Sequence, residues 1–134
     1  MNRYLPVAAL GLALLAWAGP SLAGDVIVIC NPGVTLQPGE VRDVFLGEKG
    51  FAGSVKLVPV DNSAEQAAFL DKVLKVDAAK YTGIWTKKSF RDGANPPAVK
   101  GSDGEVVAFV KATAGACGYV GAAPGGGVTV VGKF

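Results

Sequence analysis

Lys56-Leu-Val-Pro-Val-Asp-Asn-Ser-Ala-Glu-Gln-Ala-Ala-Phe-Leu-Asp-Lys-Val-Leu74 is the stretch that decides the fold. Leu57, Val58 and Val60 form a short apolar run rich in β-branched residues, the pattern of a strand covered on both faces. Asp61 and Asn62 end that strand with turn chemistry. Ser63 followed by Gln66 has the spacing of a capping box, which predicts a helix opening at Ser63. Ala67, Leu70, Val73 and Leu74 then recur at helical spacing and give the helix a core face. The end of a strand feeding a helix N-terminus is where open α/β sheets bind ligands, because free amides and the helix dipole converge there.

On the N-terminal side, Asp25-Val-Ile-Val-Ile-Cys30 is a continuous apolar run and reads as a buried strand. Asn31-Pro-Gly33 is a turn. Pro38 suits the first position of a helix whose apolar stripe is Val41, Val44 and Phe45, and Gly47 stops it. Glu48 to Ser54 reads as a Gly-rich loop.

On the C-terminal side, a helix beginning near Asp77 places Tyr81, Ile84 and Trp85 on one face, and that face reads as core. The basic residues Lys87, Lys88 and Arg91 read as its solvated face. Gly93-Ala-Asn-Pro-Pro97 is a loop. Ser102-Asp-Gly-Glu105 is a second capping box, ahead of a helix with Val106, Val107, Phe109 and Val110. Gly115 to Val120 and Val128 to Val131 read as turn-then-strand and terminal strand. Strands alternating with helices predict an α/β fold with a mixed, mainly parallel sheet and helices on both faces.

The first residues are of another kind. Met1 to Tyr4 carry one positive charge, Leu5 to Ala18 carry none, and Pro20-Ser-Leu-Ala23 has the small residues of a cleavage site. This is the pattern of a secretory signal peptide over 1–23, and it predicts a periplasmic or secreted protein with no membrane anchor after cleavage. Residues 24–134 form one domain.

Composition narrows the chemistry. The chain has 13 basic and 11 acidic residues, and no histidine. Without histidine, Ser-His-Asp and Cys-His catalysis and HExxH metal sites are excluded, so the sequence predicts neither an enzyme nor a metal or other cofactor. No basic stripe points to nucleic acid. Gly125-Gly-Gly127 is no phosphate loop, because no GK[ST] and no helix follow it.

Taken in order, Val41-Arg-Asp-Val-Phe-Leu-Gly47, Leu57-Val-Pro-Val-Asp61, Phe69-Leu-Asp-Lys-Val-Leu74, Gly93-Ala-Asn-Pro-Pro97 and Gly115-Ala-Cys-Gly-Tyr-Val120 resemble the periplasmic-binding-protein-like domain of phosphate ABC transporter substrate-binding proteins. The likeness is to short exported members that keep a single lobe of the type II fold. It covers essentially all of 25–120. It implies inorganic phosphate or another oxyanion as ligand, held by Asp61, Asn62, Ser63, Ala64 and Glu65. It implies an ABC transporter or another envelope protein as partner.

The family's loop carries Arg before the strand end, then Asp, then Ser-Gly-Thr. Asp61 and Ser63 match. Pro59 stands at the Arg position, Ala64 at the Gly and Glu65 at the Thr. Arg would supply a bidentate, charge-assisted contact. Glu65 instead adds negative charge to the first helical turn. Both departures lower the expected phosphate affinity. The other open reading is a ligand-free single-lobe accessory or interaction protein of the cell envelope.

Cys30 and Cys117 are the only cysteines. An exporting sequence permits a disulfide between them, and two buried free thiols remain the alternative.

Overall fold

A computed structural model of the chain describes residues 25–134. The predicted signal peptide, 1–23, lies outside the described residues. Strand β1 (Ile27–Cys30) is buried along its whole length. A 3₁₀ turn over Pro38–Glu40 leads into helix α1 (Val41–Phe45), which buries Val41, Val44 and Phe45. The turn is held at its start by Gln37, whose amide donates to the Glu40 carboxylate at 2.9 Å.

The stretch expected as a loop, 48–54, instead contributes to a small hairpin of β2 (Phe51–Ala52) and β3 (Val55–Lys56). Its turn is Gly53-Ser54, with Gly53 at φ +64°, the conformation two-residue hairpins require. The hairpin runs directly into β4 (Val58–Asn62). Helix α2 (Gln66–Phe69) follows and widens into a π-helical turn, Leu70–Leu74. Left-handed Lys75 ends it, and the guanidinium of Arg42 donates to the freed carbonyl of Leu74 at 3.0 Å.

Helix α3 (Ala78–Asp92) is capped by Asp77, whose side chain accepts from the Lys80 amide. Pro96 and Pro97 then precede a three-residue strand that the sequence did not announce, β5 (Ala98–Lys100). Helix α4 (Asp103–Ala112) is capped by Ser102, as its box predicts. Strands β6 (Ala116–Val120) and β7 (Thr129–Lys133) complete the domain.

The sheet order is β5-β4-β6-β1-β7. Strand β4 is parallel to β5 and β6, whereas β1 pairs antiparallel with β6 and β7. Four strands therefore point one way and β1 alone runs against them, which makes a mixed, mainly parallel sheet. Alternation along β1 sends Val28 and Cys30 to the face covered by α1, α2 and α3, and Ile27 and Ile29 to the face covered by α4. Helix α4 sits close because β6 carries Gly118 there. A Cβ at that position would come 2.7 Å from Val106 and 2.9 Å from Val60.

In the β1–β6 ladder Cys30 stands opposite Cys117, and the two are joined by a disulfide. Among the described residues no helix is long and apolar enough to cross a membrane.

Candidate functional site

The C-terminal end of β4 sends alternate side chains to opposite faces of the sheet, and this divides the five candidate residues. Asp61 turns toward α3. It is 2% exposed and accepts two hydrogen bonds, from the Tyr81 hydroxyl at 2.8 Å and from the Tyr119 hydroxyl at 2.7 Å. Burial raises the carboxyl pKa above its ordinary value, and the two phenol donors oppose that rise. Burial, with the Asp61 charge beside them, pushes both phenols well above the ordinary tyrosine range, so they stay protonated and act as donors.

Asn62 turns the other way and is fully buried. Its amide donates to the Asp103 carboxylate at 2.8 Å and to the Tyr119 carbonyl at 3.0 Å. Its side-chain oxygen accepts from the Ala64 amide at 3.0 Å, closing an Asx turn. That turn displaces the expected cap. Ser63 is exposed, its backbone amide donates to the Lys100 carbonyl, and the helix begins at Gln66 with Glu65 in the cap position and no side-chain cap bond. The Glu65 amide donates to the Asn62 carbonyl at 3.0 Å. The backbone amides of residues 63, 64 and 65 are thus each paired within the chain.

Two residues outside the predicted set complete this end of the sheet. Asp103, in the first turn of α4, accepts from Asn62 through one oxygen and from the Gly121 amide, at 3.1 Å, through the other. Gly121 leaves room for the Glu65 side chain, since a Cβ there would come 2.6 Å from its carboxyl carbon. Two carboxylates therefore face the mouth formed by the ends of β4 and β6. The Asp103 charge is the one best placed, because it lies at a helix N-terminus and receives donors on both oxygens. Its role was hidden in the sequence by the neighbouring Ser102 cap, which accounts for an acidic residue in a first turn without further cause.

On the opposite face a groove of about 560 Å³ runs between α3 and β5. Asp61, Tyr81 and Trp85 form its floor, and Phe90, Pro96 and Val99 line its sides. Trp85 is fixed in the floor by its indole N–H, which donates to the Phe45 carbonyl at 3.0 Å. Among the described residues no cluster of histidine, cysteine, aspartate or glutamate is arranged to hold a metal ion.

The buried carboxyl gives a pH prediction. A carboxyl whose folded pKa is raised binds its proton more tightly in the folded state. The stability it contributes is complete below its ordinary value of 3.8 and is lost as pH rises through the folded value. Urea unfolding across this range should show the wild type losing stability relative to Asp61→Asn, whose amide does not titrate. Parallel profiles for the two proteins would refute the assignment.

No family model matches the chain, and no curated protein matches it. Among solved structures it is similar to PstS from Borrelia burgdorferi, with TM-score 0.52 and 14% identity over 72% of this chain and 41% of that one. It is similar also to an ABC-type phosphate transport receptor from Vibrio cholerae, with TM-score 0.50 and 14% identity over 98% of this chain and 54% of that one. The chain thus spans about half the length, or less, of these receptors. At this identity the likeness is one of fold: the chain has the periplasmic-binding-protein-like α/β fold of phosphate transport receptors.

Proposed function

We propose that this chain is an exported, single-lobe relative of solute-binding proteins that serves as an accessory or interaction domain in the cell envelope and carries no phosphate of its own. The observation that supports this reading is the Asp103 carboxylate. It accepts from Asn62 and from the Gly121 amide at the end of the sheet where an oxyanion would be received. An external anion would have to displace it, and would meet Glu65 as well. Like charges brought together disfavour one another, and this opposes whatever neutral hydrogen bonds the site could return to an anion. The amides of 63–65 offer no compensation, since each already has an acceptor. A lone lobe also presents half a cleft, whereas ligand pockets bury most of their ligand.

Titration calorimetry with inorganic phosphate and sulfate tests the reading. The expected result is no saturable heat at submillimolar anion. A dissociation constant of about 1 μM or tighter, roughly −8 kcal/mol, would establish instead the oxyanion-binding reading, with Asp61 to Glu65 as its site.

A further inference from the structure

We propose that helix α3 is a flap that leaves the sheet by itself, opening about hinges at 75–77 and 93–97 while the disulfide-linked sheet and the helices α1, α2 and α4 stay folded. The inference goes beyond the reading above and does not rest on it.

The attachment of α3 is narrow. Of its 15 residues only Tyr81 and Trp85 are buried, and they stand one turn apart. Among the described residues no backbone hydrogen bond joins this helix to another element. Three side-chain links hold it. The Tyr81 hydroxyl donates to Asp61 at 2.8 Å, the Trp85 indole to the Phe45 carbonyl at 3.0 Å, and the Lys88 ammonium meets the Glu48 carboxylate at 3.2 Å. The Trp85 ring and the Lys88 stem rest on Gly47, where a Cβ would come 2.9 Å from each. Open space borders this strip. Trp85 lines the 560 Å³ groove and also a second cavity of about 520 Å³, which it shares with Gly47, Pro59, Lys88 and Pro97. A helix seated on one buried strip between cavities lacks the dense packing that gives core elements the full stability of the fold.

Both ends of α3 are built to turn. Lys75, ahead of it, has φ +59°, and among the described residues it is the only non-glycine with a positive φ. Gly93, behind it, has φ +69°, and the loop to β5 follows. Residues of this kind at element ends absorb the dihedral change of a hinge. Once detached, the helix does not persist. A segment of this length is marginal in water, and Gly83, Thr82 and Thr86 in its interior weaken it further. Opening therefore exposes its amides to solvent.

Asp61 sets the balance between the two states. The titratable groups that face its carboxylate are the Tyr81 hydroxyl from α3 and the Tyr119 hydroxyl from β6. From β5, Val99 stands beside Asp61, while the Lys100 ammonium lies over the Phe109 ring. No lysine or arginine is among the groups that act on the Asp61 carboxyl. Its ionised form is thus buried without a cation, and departure of α3 lets water reach it. Burial raises the carboxyl pKa in the closed state, so the closed state holds the proton more tightly. The preference for closure is complete below the ordinary value of 3.8 and declines as pH rises through the closed-state value.

Native-state hydrogen exchange on the full chain, in water and in urea below the unfolding transition, tests the flap. Amides at 84–88, in the middle of α3, should exchange at least about tenfold faster than those of β1 and β6 after correction for intrinsic rates. Their exchange should also depend less on urea, because opening of α3 exposes only part of the surface that global unfolding exposes. Fraying from the helix ends would spare these central amides. Equal rates with equal urea dependence in α3 and β1 overturn the proposal. As pH rises above 3.8, protection at 84–88 should fall in the wild type and stay level in Asp61→Asn. A flat wild-type profile, or the same fall in Asp61→Asn, overturns control by Asp61. Trp85→Phe keeps the ring but removes the indole donor, and should lower protection at 84–88 by about tenfold. Protection unchanged in this variant would mean that the helix is held elsewhere, and overturns the narrow attachment.

Discussion

Replacing both Cys30 and Cys117 by alanine lowers the stability of the domain by about 4.5 kcal/mol, on the chain-entropy account of a cross-link closing a long loop. The two residues are 87 apart in sequence, so the bond encloses every helix among the described residues. Most of the effect lies in the unfolded chain, which loses the freedom to separate two points that β1 and β6 hold side by side. Both residues are fully buried, so replacement also removes packed sulfur. The loss is comparable to the whole stability of a small domain. Denaturant unfolding of wild type against the double variant measures it as a shift in midpoint. A loss below about 1 kcal/mol would mean that the unfolded chain is already compact between these points. Two reactive thiols per chain in denatured, unreduced protein would mean that the bond does not form at all.

The position of this bond shows what could and could not be read from the sequence. The apolar runs around Cys30 and Cys117 announce buried strands. Whether those strands are neighbours is a matter of topology, and periodicity carries no topology. Single-element features were legible for the same local reason: the Val41, Val44 and Phe45 stripe, the Tyr81 and Trp85 face, and the Ser102 cap are each set by residues within a few positions of one another. The failures are cases where a distant group overrides a local pattern. Ser63 and Gln66 have the spacing of a capping box, yet Asn62 claims the Ala64 amide because Asp103 and the Tyr119 carbonyl hold the Asn62 side chain in place. Strand β5 is three residues long behind two prolines, too short for any alternation to show. Asp61 reads as a turn residue because the two hydroxyls that make its burial tolerable come from positions 81 and 119. The candidate site is therefore less legible than the fold: its geometry is made of contacts between elements far apart in the chain.

The second large effect tests those long-range contacts at their centre. Phe69 is fully buried in α2. Its ring stacks on Tyr119 with centroids 3.8 Å apart and planes 5° from parallel, and it meets Phe45 edge-on at 4.8 Å. Phe69→Ala should cost about 4 kcal/mol, the transfer loss plus the cavity left behind, with the lost aromatic contacts included. Phe69→Leu keeps most of the volume and should cost about 1.5 kcal/mol. A second consequence separates this site from an ordinary core position. Tyr119 reaches Asp61 through its hydroxyl, so the stack on Phe69 also fixes the donor over the buried carboxylate. With the stack gone, Tyr119 gains freedom and solvent gains access to Asp61; the easing of burial, the larger cause of the raised pKa, outweighs the weakened Tyr119 donation that had opposed it. The pH dependence assigned to Asp61 should then flatten in Phe69→Ala and persist in Phe69→Leu. Urea unfolding of the three proteins at several pH values reads both effects together. If Phe69→Ala is weakly destabilising, or leaves the pH profile unchanged, the aromatic stack does not govern the Asp61 environment and the coupling between core and groove floor is refuted.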